Sequence, residues 1–388
     1  MRKKINFTLI FNILVIVISI VLITYFCISK DGLIDLLSSD IKINIFWILM
    51  AVVCQLGNMF IDSVITYIYI KKQYKSFSLL DGIKSSCVGS FFSAVTPSST
   101  GGQPMQVMFL AQKKIDPGYS TSCMMQKFLV FQITSTVFSV FSLIFRFDFF
   151  INNITTPILW LFVAAGFFSQ VVVTGCLMFI SFNRRLSSWI VKMVGKLLNK
   201  IKFIKNPDKY VKMLSDQVDV FHNGNKALIK QPKLLVKSYT FIFLQVLLIM
   251  LVPYCIYRGF CLEGASPIDM VCSQAFVSLA SAMMPLPGAT GAAELAFSVF
   301  YNMFFGVVIL KSALLLWRVI TYYGVILICA PFSMLTKSKK NKDNTEDVIK
   351  NDSDVDNKMK TEANQSSGDN YREIKAEDNH GNVKNSED

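Results

Sequence analysis

Pro285-Leu286-Pro287-Gly288-Ala289-Thr290-Gly291-Ala292-Ala293-Glu294 sits in the middle of an apolar segment, residues 270–306. Two prolines and two glycines fall within its first seven positions. Proline lacks an amide donor and glycine is costly inside a helix, so a regular helix does not run through this stretch. A second interruption, Thr96-Pro97-Ser98-Ser99-Thr100-Gly101-Gly102-Gln103-Pro104, falls in residues 77–118, a Ser-rich segment of moderate hydrophobicity. Broken backbone survives at membrane depth only where protein or a watery cavity satisfies its polar groups. The two interruptions therefore decide between simple spanning helices and helical hairpins, provided the rest of the chain lies in a membrane.

Composition says that it does. The chain has 388 residues, 53% of them hydrophobic and 17% charged, with 33 Phe and a mean hydropathy of +0.46. A soluble chain carries about 25% charged residues. A soluble globular enzyme is thus nearly excluded, and a polytopic helical membrane protein is the expectation. Six runs read as full spans: Ile5 to Ile28, Ile43 to Ile70, Thr121–Phe145, Pro157–Phe179, Tyr239–Tyr257 and Val307–Ala330. The first follows Met1-Arg2-Lys3-Lys4 and is too long for a signal core, with no small-residue cleavage site after it. It reads as a retained span with the N-terminus inside.

Charge sets the direction. The net charge of +13 divides into +16 over residues 1–334 and −3 over 335–388. The basic residues border apolar runs, which points to orientation and anionic lipid rather than to nucleic acid. Lys71, Lys72 and Lys75 place the end of the second span in the cytoplasm. Residues 182–235 hold twelve Lys/Arg against three Asp and are read as cytoplasmic too. Within them, Trp189 to Leu198 has amphipathic spacing suited to the inner headgroup layer or to a plain connector. With these anchors, residues 77–118 begin and end inside, and residues 270–306 begin and end outside. Each is then an even number of crossings or a re-entrant hairpin, and the Pro/Gly turns favour hairpins. Span, inner hairpin, span is followed by span, outer hairpin, span in the opposite orientation, an arrangement open to reading as an inverted repeat. The fold expected is all-α: about six spans and two opposed re-entrant helical hairpins in residues 1–334. Residues 335–388 form a polar cytoplasmic tail with the composition of a disordered segment.

Few residues could carry chemistry. Residues 1–334 contain two glutamates, Glu263 in a short outer loop and Glu294 inside the apolar hairpin. A carboxylate at Glu294 is costly unless paired, hydrated or protonated, so it is a candidate for function or for a structural pair. Lys311 and Arg318 lie seven apart, roughly on one helix face. With Lys127 they could form a cationic track, Arg gripping phosphate through its fork and Lys adding a mobile charge, or the lysines could snorkel. Lys84 is similar. Asp62 and Arg146 read equally well as structural pairs or interface anchors. Gly101 and Gly102 allow close backbone approach, while Thr100, Gln103 and nearby Ser supply neutral hydrogen bonds. The nine Cys are scattered and form no CxxC pair, so they read as small buried hydrophobes. The two histidines, His222 and His380, lie outside the spans, which argues against a Ser-His-Asp site. No Walker A, HExxH or dinucleotide fingerprint occurs. No cofactor or metal is expected.

At the two interruptions the sequence resembles the membrane domain of lysylphosphatidylglycerol synthase/flippase proteins. The resemblance rests on Thr96 to Pro104, on Pro285 to Glu294, and on Arg318 with Tyr322, and it covers roughly residues 5–331. This chain has Gln103 where the family commonly has Glu, and Gly288-Ala289 where it usually has consecutive glycines. The resemblance implies substrate-binding or gating roles for Arg318, Glu294, Gly101, Gly102, Gln103, Thr100, Pro287, Gly288, Gly291, Lys311, Lys127 and Tyr322. It implies translocation of an anionic or aminoacylated phospholipid, lysyl-phosphatidylglycerol-like, in a bacterial cytoplasmic membrane, with resistance to cationic peptides as the outcome. In full-length relatives a cytoplasmic acyltransferase domain aminoacylates phosphatidylglycerol. The tail here is expected to be too short and too polar for that domain, which leaves room for a separate aminoacyltransferase partner. A homo-oligomer is compatible with this reading, and no direct nucleic-acid partner is expected. The alternatives are a phosphatidylglycerol lysyltransferase or other membrane lipid aminoacyl- or glycosyltransferase, and an accessory subunit of such a synthase.

Overall fold

The computed structural model describes residues 42–333 apart from 154–156, 187, 190–191, 194–206, 283 and 285. The expected span Ile5 to Ile28, the tail 335–388 and most of the stretch Trp189 to Leu198 lie outside the described residues. All regular elements among those described are helical.

Helix α1 (Ile45–Lys71) starts at Asn44, whose side chain accepts from the amide of Phe46 at 3.1 Å. The Asn44 amide donates to the carbonyl of Gly259 at 2.8 Å, tying the start of α1 to the end of a later helix, Pro232–Gly259. Helix α2 (Leu79–Val95) opens with a capping box of Ser78 and Asp81. A 3-10 turn at Pro97–Ser99 separates it from α3 (Gly102–Gln112). Lys113 at the end of α3 pairs with Asp81 at the start of α2, 2.8 Å apart. On a continuous straight helix these two residues would be about 48 Å apart. The chain therefore folds back at the turn, and residues 77–118 form a hairpin.

Helix α4 (Pro117–Asn153) and helix α5 (Pro157–Phe182) follow. Helix α6 (Pro207–Ile229) is polar by comparison and docks on α4. Its Asn225 accepts from Gln126 and donates to the carbonyl of Ser181 at 2.7 Å. Helix α7 (Pro232–Gly259) starts with a proline at its first turn, where the missing donor costs nothing. It packs lengthwise against α1. Helix α8 (Pro267–Ala282), a 3-10 turn at Pro287–Ala289, and α9 (Ala292–Arg318) come next. A π-helical turn, Val319–Tyr323, leads into α10 (Gly324–Ser333).

Three close contacts show that α8 and α9 are not one rod and that α9 is itself broken. The Tyr301 hydroxyl donates to the carbonyl of Met270 at 3.0 Å, so the chain reverses between α8 and α9. Glu294 and Arg318 pair at 2.8 Å, and the rings of Phe297 and Trp317 stack at 4.8 Å. A straight helix would hold Glu294 and Arg318 about 36 Å apart. The second reversal is at Gly306, with φ 66° and ψ 167°, backbone angles that only glycine adopts without strain. Residues 292–305 therefore belong to the hairpin, and the rest of α9 runs on into α10.

Among the described residues, five stretches are long and apolar enough to cross a membrane: Ile45–Lys71, Pro117–Arg146, Trp160–Phe179, Pro232–Gly259 and Pro287–Ser333. The expected spans at 43–70, 121–145, 157–179, 239–257 and 307–330 correspond to these, the last being the part of Pro287–Ser333 beyond Gly306. The core has two apolar centres. One gathers Phe276, Phe297, Phe300, Tyr301 and Trp317 around α8 and α9. The other gathers Tyr69, Phe91, Phe109, Met124 and Ile242 around α2–α4 and α7. Many large apolar side chains, such as Ile144, Phe168 and Val308, point outward instead, as a lipid-facing surface does. The hairpins are interleaved. Helix α10 packs on α2 and α4 packs on α8, so the first arm of each hairpin touches the last long helix of the other half.

Candidate functional site

The two hairpin turns meet each other. They also share a sequence, Pro-x-x-Thr-Gly, as Pro97-Ser98-Ser99-Thr100-Gly101 and Pro287-Gly288-Ala289-Thr290-Gly291. Their backbones match at the centre. Ser98 (φ 49°) and Ser99 (φ 55°) in the inner turn correspond to Gly288 (φ 61°) and Ala289 (φ 50°) in the outer. Each threonine hydroxyl donates to the carbonyl of its proline, at 2.9 Å from Thr100 and 2.7 Å from Thr290.

They part at the final glycine. In the inner turn the Gly101 amide donates to the hydroxyl of Thr96 at 2.9 Å. In the outer turn that position is Leu286, whose side chain has no acceptor. There the Gly291 amide donates to Oε2 of Glu294 at 2.6 Å. Oε1 of Glu294 holds the Arg318 guanidinium at 2.8 Å, and Arg318 Nη1 donates to the carbonyl of Gly288 at 3.0 Å. Arg318 is buried, with the rings of Trp317 and Tyr322 against it. One guanidinium thus clasps both ends of the outer turn.

Next to this clasp lies a cavity of about 460 Å³. Both turns contribute to its wall, through Ser98, Ser99 and Gly288. The remaining polar lining comes from α1 (Gln55, Asn58, Asp62), α2 (Ser90, Ser93), the start of α3 (Gln103, Gln106), α4 (Lys127), α7 (Gln245) and the π-turn (Thr321, Tyr322). Lys127 is buried and has all three of its donors engaged: Asp62 Oδ2 at 3.1 Å, Thr66 Oγ1 at 3.0 Å and Gln106 Oε1 at 3.4 Å. Tyr322 is the partition. Its ring lies over Arg318 on one side, its hydroxyl donates to the carbonyl of Ala94 at 3.1 Å, and it lines the cavity. A Cβ at Gly288 would lie 2.3 Å from that ring.

Of the residues singled out in the sequence, Gly102, Gln103, Lys127, Gly288 and Tyr322 come together at the cavity. Arg318, Glu294 and Gly291 form the clasp beside it, with Pro287 opening the outer turn. Thr100 and Gly101 build the inner turn. Arg318 and Lys127 are each matched to a carboxylate, and Lys311 lies on the exposed face of its helix, seven residues from Arg318 but beyond the packed core. Arg146 pairs with Asp269 at 2.7 Å. The sequence reading passed over Gln55, Asn58, Gln106 and Gln245. Spacings of three and four residues put Gln55, Asn58 and Asp62 on one face of an otherwise apolar helix, and that was the available signal. Among the described residues no group of three or more His, Cys, Asp or Glu is placed to hold a metal ion.

Residues 12–329 match the family model described as Lysylphosphatidylglycerol synthase TM region. The chain belongs to that family. No curated protein and no solved structure matches it. The match covers the part that holds both turns, the clasp and the cavity, so the site described above is a feature of the lysylphosphatidylglycerol synthase transmembrane region of this chain. Family membership and the helical membrane architecture support a general lipid-translocating function.

Proposed function

We propose that this protein moves an anionic or aminoacylated phospholipid between the leaflets of a bacterial cytoplasmic membrane. The headgroup passes through the cavity while the acyl chains stay in lipid. The observation that carries this reading is a cavity bordered by both hairpin turns, with amide, hydroxyl and charged side chains among its apolar lining, inside an otherwise apolar bundle. Backbone that is neither helix nor sheet is stable at membrane depth when it borders such a space.

The hairpin arms fit re-entrant insertion. Arms of 17, 11 and 16 residues reach about 26, 17 and 24 Å, short of the roughly 30 Å hydrocarbon core. On this reading the hairpin of α2 and α3 enters from the cytoplasm and that of α8 and α9 from outside. Both termini are then cytoplasmic, and the two halves form an inverted pair. Arg318 and Glu294 hold the outer turn shut, Tyr322 divides them from the path, and Gln103, Gly102 and Lys127 line it. Opening at the outer turn requires the Arg318 clasp to let go of Gly288 and Glu294. Opening at the inner turn requires only neutral hydrogen bonds to shift.

The test is a leaflet assay on purified protein in vesicles, with phosphatidylglycerol and its aminoacylated form as separate substrates. Transfer of at least one lipid faster than in protein-free vesicles is expected. Equal rates for both lipids with and without protein would sink the proposal.

A further inference from the structure

The charge pair in the cavity wall is held more loosely than the clasp. Asp62 on α1 grips Lys127 on α4 through Oδ2, a single contact at 3.1 Å. The Asp62 and Lys127 side chains are 20% and 9% exposed, and both residues line the cavity. The other two Lys127 bonds go to neutral acceptors, Thr66 and Gln106. Gly89 makes room for Gln106, since a Cβ there would lie 2.3 Å from its Nε2. Arg318 has Nε and Nη2 without hydrogen-bond partners among the described residues, but both atoms are buried and Arg318 is not one of the lining residues. The cation among the lining residues is Lys127.

An anionic phosphate brought beside this pair sets two negative charges against one ammonium. In a weakly screened interior such an arrangement is costly, and it is relieved when one of the two anions takes a proton. A phosphodiester is a far weaker base than a carboxylate, so the carboxylate takes it. Lys127 then exchanges one bond, Asp62 for phosphate, and keeps its two neutral partners. Among the described residues, the other titratable groups around Asp62 are the thiols of Cys87 on α2 and Cys329 on α10 and the Tyr322 phenol of the π-turn. Thiols and phenols ordinarily keep their protons at neutral pH. Helices α3 and α7 contribute the neutral Gln106 and Gln245 to the same lining.

We infer that the cavity binds an anionic phosphodiester together with one proton, the phosphate taking the Lys127 ammonium and the released Asp62 taking the proton. This deepens the proposed translocation and rests on it for the phosphate's source, a lipid headgroup. Asp62 is the residue that links binding to pH. It stands on α1, away from the turns, so its proton stays with it until the phosphate moves on and Lys127 returns. The phosphate passes between the turns with its own charge.

Calorimetry on the full-length protein in detergent tests the linkage. Phosphatidylglycerol is one probe, and glycerophosphoglycerol, the same phosphodiester without acyl chains, is the other. Titrations in buffers of different ionisation enthalpy read the protons taken up. About one proton per phosphate is expected, with affinity rising about tenfold for each pH unit of acidification, the slope of one linked proton. Asp62→Asn should keep the binding and lose both the uptake and the slope, which a merely structural role would not do. The double variant Asp62→Asn, Lys127→Gln keeps a neutral pair in place and should bind about tenfold more weakly than Asp62→Asn at every pH. Binding of either probe with this signature supports the site, and binding of the lipid alone ties it to a membrane lipid. No binding of either probe, binding without proton uptake, or uptake that survives in Asp62→Asn overturns the inference. Transfer in the leaflet assay would then leave translocation intact. Proton-linked binding with no transfer of any lipid overturns translocation and leaves the site standing.

Discussion

The inner and outer turns share one backbone device and differ in how they finish it. Both use Pro-x-x-Thr-Gly, and both place their second and third residues at positive φ. The inner turn closes with a neutral bond from Gly101 to Thr96. The outer turn closes with a carboxylate and then needs a buried arginine to balance it. A threonine at the position before the first proline makes the inner turn self-sufficient. A leucine there makes the outer turn depend on a helix 24 residues further along. The same shape is thus cheap to rearrange on one side and electrostatically latched on the other.

Breaking the latch should give the largest effect. Arg318→Leu leaves the partly exposed Glu294 carboxylate and the Gly288 carbonyl without their partner, a loss of about 2–3 kcal/mol by the general cost of a lost charged hydrogen bond. Thermal unfolding in detergent should show it as a large fall in Tm. A double variant with Glu294→Gln should recover part of it, and no recovery would mean that the pair is not what holds the turn.

The second test exchanges the matched positions. Gly288→Ala drives a methyl into the Tyr322 ring and forces a positive φ, and about 1–3 kcal/mol of strain is expected. Ser98→Gly relieves the same backbone strain in the inner turn and should stabilise by about 1 kcal/mol. Opposite signs in Tm would support the comparison, and equal signs would break it. The smallest effect should be the symmetrical one. Thr100→Val and Thr290→Val each remove one hydroxyl bond to a proline carbonyl and should cost a similar amount, about 1 kcal/mol. A marked inequality would show that the two turns are less alike than their dihedral angles.

Much of this was readable before any coordinates. Proline and glycine inside apolar runs marked both turns, because no regular helix accommodates them. The boundary between hairpin and last span fell at 306/307, and the reversal is at Gly306. Scarcity drew attention to Glu294 and Arg318. Their pairing was not readable, since it depends on a reversal made by one glycine in an otherwise good helical run. The cavity was the least legible part. Its polar lining is mostly amide and hydroxyl, and such groups do not stand out as charges do. A sequence also displays charges without their partners. Lys127 sits 65 residues from the carboxylate that neutralises it.

The contact between the two turns has an electrical consequence on the proposed insertion. A cavity large enough for water conducts the potential inward, so the voltage across the membrane does not fall evenly over its full thickness. It falls over the few residues where the turns seal against each other. A whole charge moved across that seal gains or loses about 2.3 kcal/mol per 100 mV over a very short path. An anionic lipid crossing there would make the rate of transfer steeply dependent on membrane potential, which a potassium gradient across the vesicles can impose and reverse.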